Sequence, residues 1–202
     1  AGRAKLLNGR DPSSMICIYV GRLANEKRID LLLEVARTPG VALTIIGDGA
    51  LRDELEHRFA GTGTHFMGYL YGEELARAYA SADVFMFTGA NETFGQVVQE
   101  AMASGLPAIV INQGGVQDIV EDGVTGYICP PDGEAFAHAA RTLLENDSLR
   151  CSIATAARAR LEARPWEAFM AQLEAHYAEA AALSARYKQR FPPFGIIPPI
   201  FR

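Results

Sequence analysis

An α/β fold is predicted for this chain: a doubly wound parallel sheet of about six strands flanked by helices, with a long helix at the C-terminal end. Two observations predict it. Apolar runs alternate with amphipathic stretches over residues 15–132. The runs are about four to six residues long and the amphipathic stretches about nine or ten, lengths that suit buried strands and the helices crossing between them.

The elements follow in order. The first 14 residues are polar, contain Gly2, Gly9 and Pro12, and read as a linker. Met15–Val20 reads as a buried strand. Ile29–Arg37 reads as a helix with Ile29, Leu32, Leu33 and Ala36 on one face. Val41–Ile46 is a strand closed by Gly47-Asp48-Gly49, and residues 51–59 are helical. A short strand is expected over residues 65–67, a helix over 73–80 and a strand over Val84–Phe87. Residues 95–103 form a helix stopped by Gly105 and Pro107, followed by strands Ala108–Ile111 and Gly126–Cys129. Beyond Pro131 the chain is alanine-rich, with helices expected over residues 134–145, 148–161 and 166–190. In the last of these, Trp166, Phe169, Leu173, Tyr177 and Ala180 recur at helical spacing and read as a packing stripe. The four prolines of residues 191–202 end the helix and leave a tail. The domain reading is therefore a linker over 1–14, one domain over 15–190 and a proline-rich tail over 191–202.

Composition narrows the function. A formal net charge of −5 argues against a nucleic-acid binder. Cys17, Cys129 and Cys151 are far apart and form no CxxC pair, so neither a disulfide framework nor a zinc site is suggested and a reducing, cytoplasmic setting is expected. His57, His65, His138 and His176 have no ligand spacing. No run of about 18 apolar residues and no signal peptide is visible. The chain starts at Ala1 without a methionine, as an excised fragment does.

Ligands of doubly wound sheets bind at the carboxyl ends of the strands, which directs attention to the loops after Val20, Ile46, Met67, Phe87 and Ile111. The first loop reads Gly21-Arg22-Leu23-Ala24-Asn25-Glu26-Lys27-Arg28. Gly21 permits a tight turn, and Arg22 and Lys27 place positive charge where a diphosphate would meet a helix start. A solvated basic turn reads equally well from this segment alone. It is not the dinucleotide fingerprint, because no G-x-G-x-x-G follows the strand. A second loop runs Thr88-Gly89-Ala90-Asn91-Glu92-Thr93-Phe94-Gly95-Gln96, with Glu100 inside the next helix. That helix start offers unpaired N–H groups, and Glu100 leans back toward the ligand end, where a carboxylate suits a ribose diol. The plainer readings are an N-terminal capping contact for Glu92 and a surface charge for Glu100.

Glu92 and Glu100, with seven residues between them, resemble the E-x7-E pattern of the group 1 (family 4) retaining glycosyltransferases. Around them, in matching order over residues 15–132, stand Gly21-Arg22-Leu23 with Glu26-Lys27, Ile46-Gly47-Asp48-Gly49, Gly72-Glu73-Glu74-Leu75, Ala82-Asp83-Val84, Glu100-Ala101-Met102-Ala103-Ser104-Gly105-Leu106-Pro107, and Gly114-Gly115 before Asp122-Gly123-Val124-Thr125-Gly126. Within that family the likeness runs toward sulfoquinovosyl- and mannosyl-type lipid glycosyltransferases.

The resemblance implies one half of a GT-B fold, two Rossmann-like domains facing a cleft, with this chain as the C-terminal, donor-binding half. It implies that Arg22 and Lys27 hold the donor diphosphate and that Glu92 contacts the donor sugar, these three serving at the reacting centre. It implies that Gly21, Gly47, Tyr69, Leu70, Thr93, Phe94, Gly95, Gln96 and Glu100 line the nucleotide site. Glu100 would bind the ribose, and Tyr69 and Leu70 would meet the base through their backbone. The implied reaction moves a hexosyl group from a UDP- or GDP-sugar to an acceptor hydroxyl. The nucleotide sugar is a substrate, and no metal or resident cofactor is expected, in keeping with the lack of an Asp-x-Asp motif.

The implied partners are the nucleotide sugar and an N-terminal acceptor domain that is absent here, through which the whole protein would touch a membrane surface; the fragment alone should transfer little. The alternatives are a non-catalytic nucleotide-sugar-binding module and a GT-B-like nucleotide-sugar epimerase. Two departures from the family pattern, Thr88-Gly89 in place of Pro-Ser and Asp118 in place of a glutamate, bear on the sugar pocket.

Overall fold

The computed structural model describes residues 2–163 and 166–190 and divides into two compact units, Ala1–Glu162 and Ala163–Arg202. The tail over 191–202 lies outside the described residues, as do the side chains of Trp166 and Phe169.

The first unit is built on a six-stranded sheet of β1 (Met15–Val20), β2 (Val41–Ile46), β3 (His65–Gly68), β4 (Val84–Phe87), β5 (Ala108–Ile111) and β6 (Gly126–Cys129). The spatial order is β3-β2-β1-β4-β5-β6, and every pairing is parallel. Strands β1 and β2 are buried along their whole length, MICIYV in the first and VALTII in the second, because helices cover both faces. Met15 lies beside Val41 and Val20 beside Ile46, so the two apolar runs match end to end.

Helices α1 (Gly2–Leu7), α2 (Leu33–Arg37), α3 (Arg52–Arg58), α4 (Gly72–Ser81), α5 (Gln96–Ala103), α6 (Gly133–Glu145) and α7 (Asp147–Glu162) complete the unit. The last two start on side-chain caps: Asp132 accepts from the Glu134 N–H at 3.4 Å, and Asn146 accepts from the Leu149 N–H at 2.9 Å.

Two elements differ from the sequence reading. Residues 2–7 form a helix where a linker was expected. Leu6 and Leu7 are buried, the Leu6 carbonyl accepts from Thr44 Oγ1 at 2.8 Å, and Arg3 forms a 2.8 Å ion pair with Asp83. Asp83 also takes the Ile16 N–H at 2.7 Å, so this carboxylate ties α1 to the amino end of the sheet. A six-residue helix with two adjacent leucines shows no period to read.

The expected helix over Ile29–Arg37 begins as two 3-10 turns, Asn25–Lys27 and Ile29–Leu32, and becomes α-helical only at Leu33. One turn of apolar residues does not distinguish a 3.0 from a 3.6 repeat. Between the two turns Arg28 sits in the left-handed region at φ 47°, ψ 44°. A side chain there costs about 1 kcal/mol, which glycine avoids. Arg28→Gly should therefore raise the unfolding free energy by about 0.5–1 kcal/mol in a urea titration. A fall would mean that the Arg28 side chain contributes more than its backbone costs.

The second unit contains α8 (Trp166–Arg190). Its C-terminal half is mostly polar or alanine, and Tyr177, Leu183 and Tyr187 are exposed. The packing stripe is thus uncovered at Tyr177: periodicity identifies the face that can be covered, not what covers it. Among the described residues, no helix is long and apolar enough to cross a membrane.

Candidate functional site

The strand order reverses between β1 and β4, which pair side by side in parallel at the centre of the sheet. The crevice beyond their carboxyl ends is where a sheet of this kind receives a ligand. The loop after β1 carries Gly21 to Lys27, and the loop after β4 carries Thr88 to Gly95.

These two loops meet through one ion pair. Lys27 Nζ lies 3.0 Å from Glu92 Oε2, with side-chain exposures of 18% and 25%. The Lys27 ammonium also stands 5.4 Å from the centroid of the Phe87 ring, a cation–π distance. Its backbone is held as well: the buried Thr88 hydroxyl donates to the Lys27 carbonyl at 2.6 Å. Gly89 leaves room for the stem, since a Cβ there would stand 3.1 Å from Lys27 Cδ and 3.0 Å from the Phe87 ring. The Thr88-Gly89 pair that departs from the family pattern therefore forms the seat of Lys27.

Glu92 is fixed from a second side. Its Oε1 accepts the Gly95 N–H at 3.3 Å, and its backbone carbonyl accepts the Gly115 N–H at 2.7 Å. Gly115 comes so close that a Cβ would lie 2.3 Å from the Thr93 carbonyl oxygen. Burial raises the affinity of the Glu92 carboxyl for its proton, but the bonds from Lys27 and from the Gly95 and Phe94 backbone outweigh burial and hold it below the usual carboxylate value. Glu92 is anionic at neutral pH. Its carboxylate thus bonds both the Gly95 N–H just ahead of α5 and the Lys27 ammonium.

Gly95 precedes α5 at φ 63° with no side-chain cap, so the first N–H groups of α5 have no partner from the helix itself. One turn on, Glu100 is held at both oxygens: Gln96 Nε2 donates to Oε1 at 3.2 Å and the Tyr79 hydroxyl donates to Oε2 at 3.1 Å. Glu100 is neither a free surface charge nor fully buried. Thr93 and Phe94 are exposed at the mouth of the loop, and the Phe94 carbonyl accepts from Gln99 Nε2 at 2.8 Å.

Arg22 points outward and pairs with Glu26, with two thirds of its side chain exposed. The loops after β2 and β3 close the other flank. Gly47 N–H donates to Gly68 O at 2.8 Å, and Leu23 N–H to Asp48 O at 2.9 Å. Tyr69 is exposed, its hydroxyl donates to Asp48 O at 3.1 Å, and its ring stacks on Tyr71 at 5.9 Å. Leu70 packs partly into the core. Lys27, Glu92 and Gly95 are thus joined by direct bonds and Gln96 and Glu100 by another on the following turn of α5, while Gly47, Tyr69 and Leu70 lie on the β2–β3 flank. The sequence reading missed Tyr79 and the support that Thr88 gives to Lys27. An aromatic on the inward face of an amphipathic helix was the only signal for the first. Among the described residues no three His, Cys, Asp or Glu side chains gather into a metal-binding group.

Comparison with known proteins agrees with the fold. The family model described as "Glycosyl transferases group 1" matches residues 7–160. The chain is 38% identical over 192 residues to the sulfoquinovosyl transferase SQD2 of Arabidopsis thaliana, covering 93% of this chain and 38% of that protein. It is 38% identical over 184 residues to a GDP-mannose-dependent alpha-mannosyltransferase of Corynebacterium glutamicum, covering 90% of this chain and 44% of the relative. The crystal structure of Anabaena HepE in complex with UDP-glucose superposes with a TM-score of 0.75 at 25% identity, over 89% of this chain and 52% of that one. The chain spans less than half the length of these two curated relatives. A six-stranded parallel sheet with this site at its switch point, matched by the family model over most of its length, places the chain in the group 1 glycosyl transferases.

Proposed function

We propose that the chain is the donor-binding half of a retaining, metal-independent glycosyltransferase, which moves a hexosyl group from a UDP- or GDP-sugar to an acceptor hydroxyl. The observation that carries this reading is the Lys27–Glu92 pair at the switch point, beside the uncapped start of α5. As the bond to the sugar breaks, negative charge grows on the departing diphosphate. Lys27, the exposed Arg22 and the N–H groups of α5 are cationic or dipolar groups suited to receive it. Fixed positive groups of this kind do the work that a divalent metal does elsewhere. Glu92, released from Lys27 when the phosphate arrives, is free to accept from sugar hydroxyls. Glu100 accepts from the ribose. The names of relatives that use GDP-mannose and of a neighbour crystallised with UDP-glucose support a nucleotide-sugar donor.

The test uses the longer protein that contains this chain together with its other half, incubated with donor and candidate acceptors with and without EDTA. The expected result is a glycoside that keeps the donor's anomeric configuration by NMR, formed at an unchanged rate in EDTA. An inverted product or a rate abolished by EDTA would overturn the mechanism. Tight donor binding with no transfer would favour a non-catalytic module, and an altered free nucleotide sugar would favour an epimerase.

A further inference from the structure

Glu100 could meet a ribose in many orientations, since a glutamate has three rotatable bonds and fixing them costs up to about 2 kcal/mol. In this structure the protein's own side chains fix that carboxylate. Gln96 holds one carboxylate oxygen from the preceding turn of α5, and Tyr79 of α4 holds the other from a separate helix. A carboxylate offers about four acceptor positions. Two are used here, which leaves two, the number that a cis diol donates to.

Tyr79 suits the task. It is only 3% exposed, and its ring leans on Phe85 at 6.1 Å. Phe85 stacks in turn with Phe87 at 6.5 Å, and Phe87 is the ring under Lys27. One row of aromatic side chains therefore supports both the diphosphate cation and the diol acceptor, and fixes the spacing between them. Burial, followed by the nearby Glu100 charge and the hydrogen bond to it, pushes the Tyr79 hydroxyl far above its ordinary pKa. It remains a donor throughout the working pH range.

We infer that Tyr79 is a positioning residue for donor recognition: by holding Glu100 Oε2 it sets the carboxylate to receive the ribose diol, and so makes the site selective for ribonucleotides over nucleotides lacking that diol. The inference rests on the donor-binding reading and adds a residue and a selectivity to it.

The experiment measures binding of UDP, and of 2′,3′-dideoxy-UDP, to the whole chain and to Tyr79→Phe, with GDP and its dideoxy form if the chain prefers guanine. Tyr79→Phe keeps the ring, so the packing on Phe85 is retained. The expected result is a loss of UDP affinity of about three- to tenfold, with dideoxy-UDP affinity unchanged. Gln96→Ala, on the exposed side of the same carboxylate, should give a smaller loss of the same diol-dependent kind even if Tyr79→Phe folds poorly. Equal losses for both nucleotides would overturn the inference and make Tyr79 a structural residue, as would a Tyr79→Phe variant that binds UDP like the parent. A parent chain that binds UDP with a strong diol preference, lost in Glu100→Ala but not in Tyr79→Phe, would sink the role of Tyr79 and leave donor binding standing. A parent chain that binds neither UDP nor GDP would remove both.

Discussion

Lys27→Ala should weaken binding of a nucleoside diphosphate by about 10- to 150-fold, the equivalent of losing one charge-assisted hydrogen bond of about 1.5–3 kcal/mol. The direction has two causes. The cation proposed to face the phosphate disappears. Glu92, which Lys27 neutralises at 3.0 Å, is left as a bare carboxylate beside the incoming anion. The reciprocal change has the opposite sign. Glu92→Gln frees Lys27 from a partly exposed pair worth about 0.2–1 kcal/mol, so the nucleoside diphosphate should bind equally well or up to about fivefold tighter. The same substitution should reduce the extra affinity of the sugar conjugate over the bare diphosphate, because an amide accepts fewer sugar hydroxyls. Isothermal titration of both variants checks the pair of signs. If Glu92→Gln weakens the bare diphosphate as much as Lys27→Ala does, the two side chains do not exchange partners on binding.

Gly47→Ala should destabilise the fold by about 3–5 kcal/mol, about a fifth or more of the stability of an ordinary domain. Gly47 has φ +135°, and a Cβ there would stand 1.9 Å from the Gly21 carbonyl oxygen. That oxygen belongs to the backbone and cannot rotate aside. The turn after β1 would have to move, and with it Arg22 and Lys27. Gly61 provides the comparison: it has φ +79°, and a Cβ there would meet nothing within 4 Å, so Gly61→Ala carries only the backbone cost of about 1 kcal/mol. Urea unfolding of the two variants should separate them by at least about 2 kcal/mol. Equal midpoints would mean that the turn at Gly47 gives way as easily as the open one at Gly61.

The sheet was legible in the sequence because its signal is local. Six residues such as MICIYV or VALTII are apolar without alternation, and only burial on both faces calls for that. The helix at residues 2–7 was not legible, since its reason to exist lies at Asp83 and Thr44, far along the chain. Arg28 shows the same limit: nothing in its neighbours announces a left-handed backbone at a non-glycine position.

The site divides in the same way. Lys27, Glu92 and Glu100 stood out by spacing and residue type, but their pairings did not. Nothing in the order of residues says that Lys27 meets Glu92 across 65 positions, or that a tyrosine 21 residues before Glu100 holds it. Thr88 and Gly89 stood out only as departures from a pattern. In the structure the first holds the Lys27 backbone and the second clears a path for its side chain.

The most direct test of the central claim, that the switch-point crevice binds the nucleotide of a sugar donor, is calorimetric titration of this chain with UDP, GDP, ADP and their common sugar conjugates without added metal. The account predicts saturable binding of one nucleotide family, weakened by both Lys27→Ala and Glu100→Ala. Absence of binding at millimolar concentration, or binding indifferent to both substitutions, would contradict it.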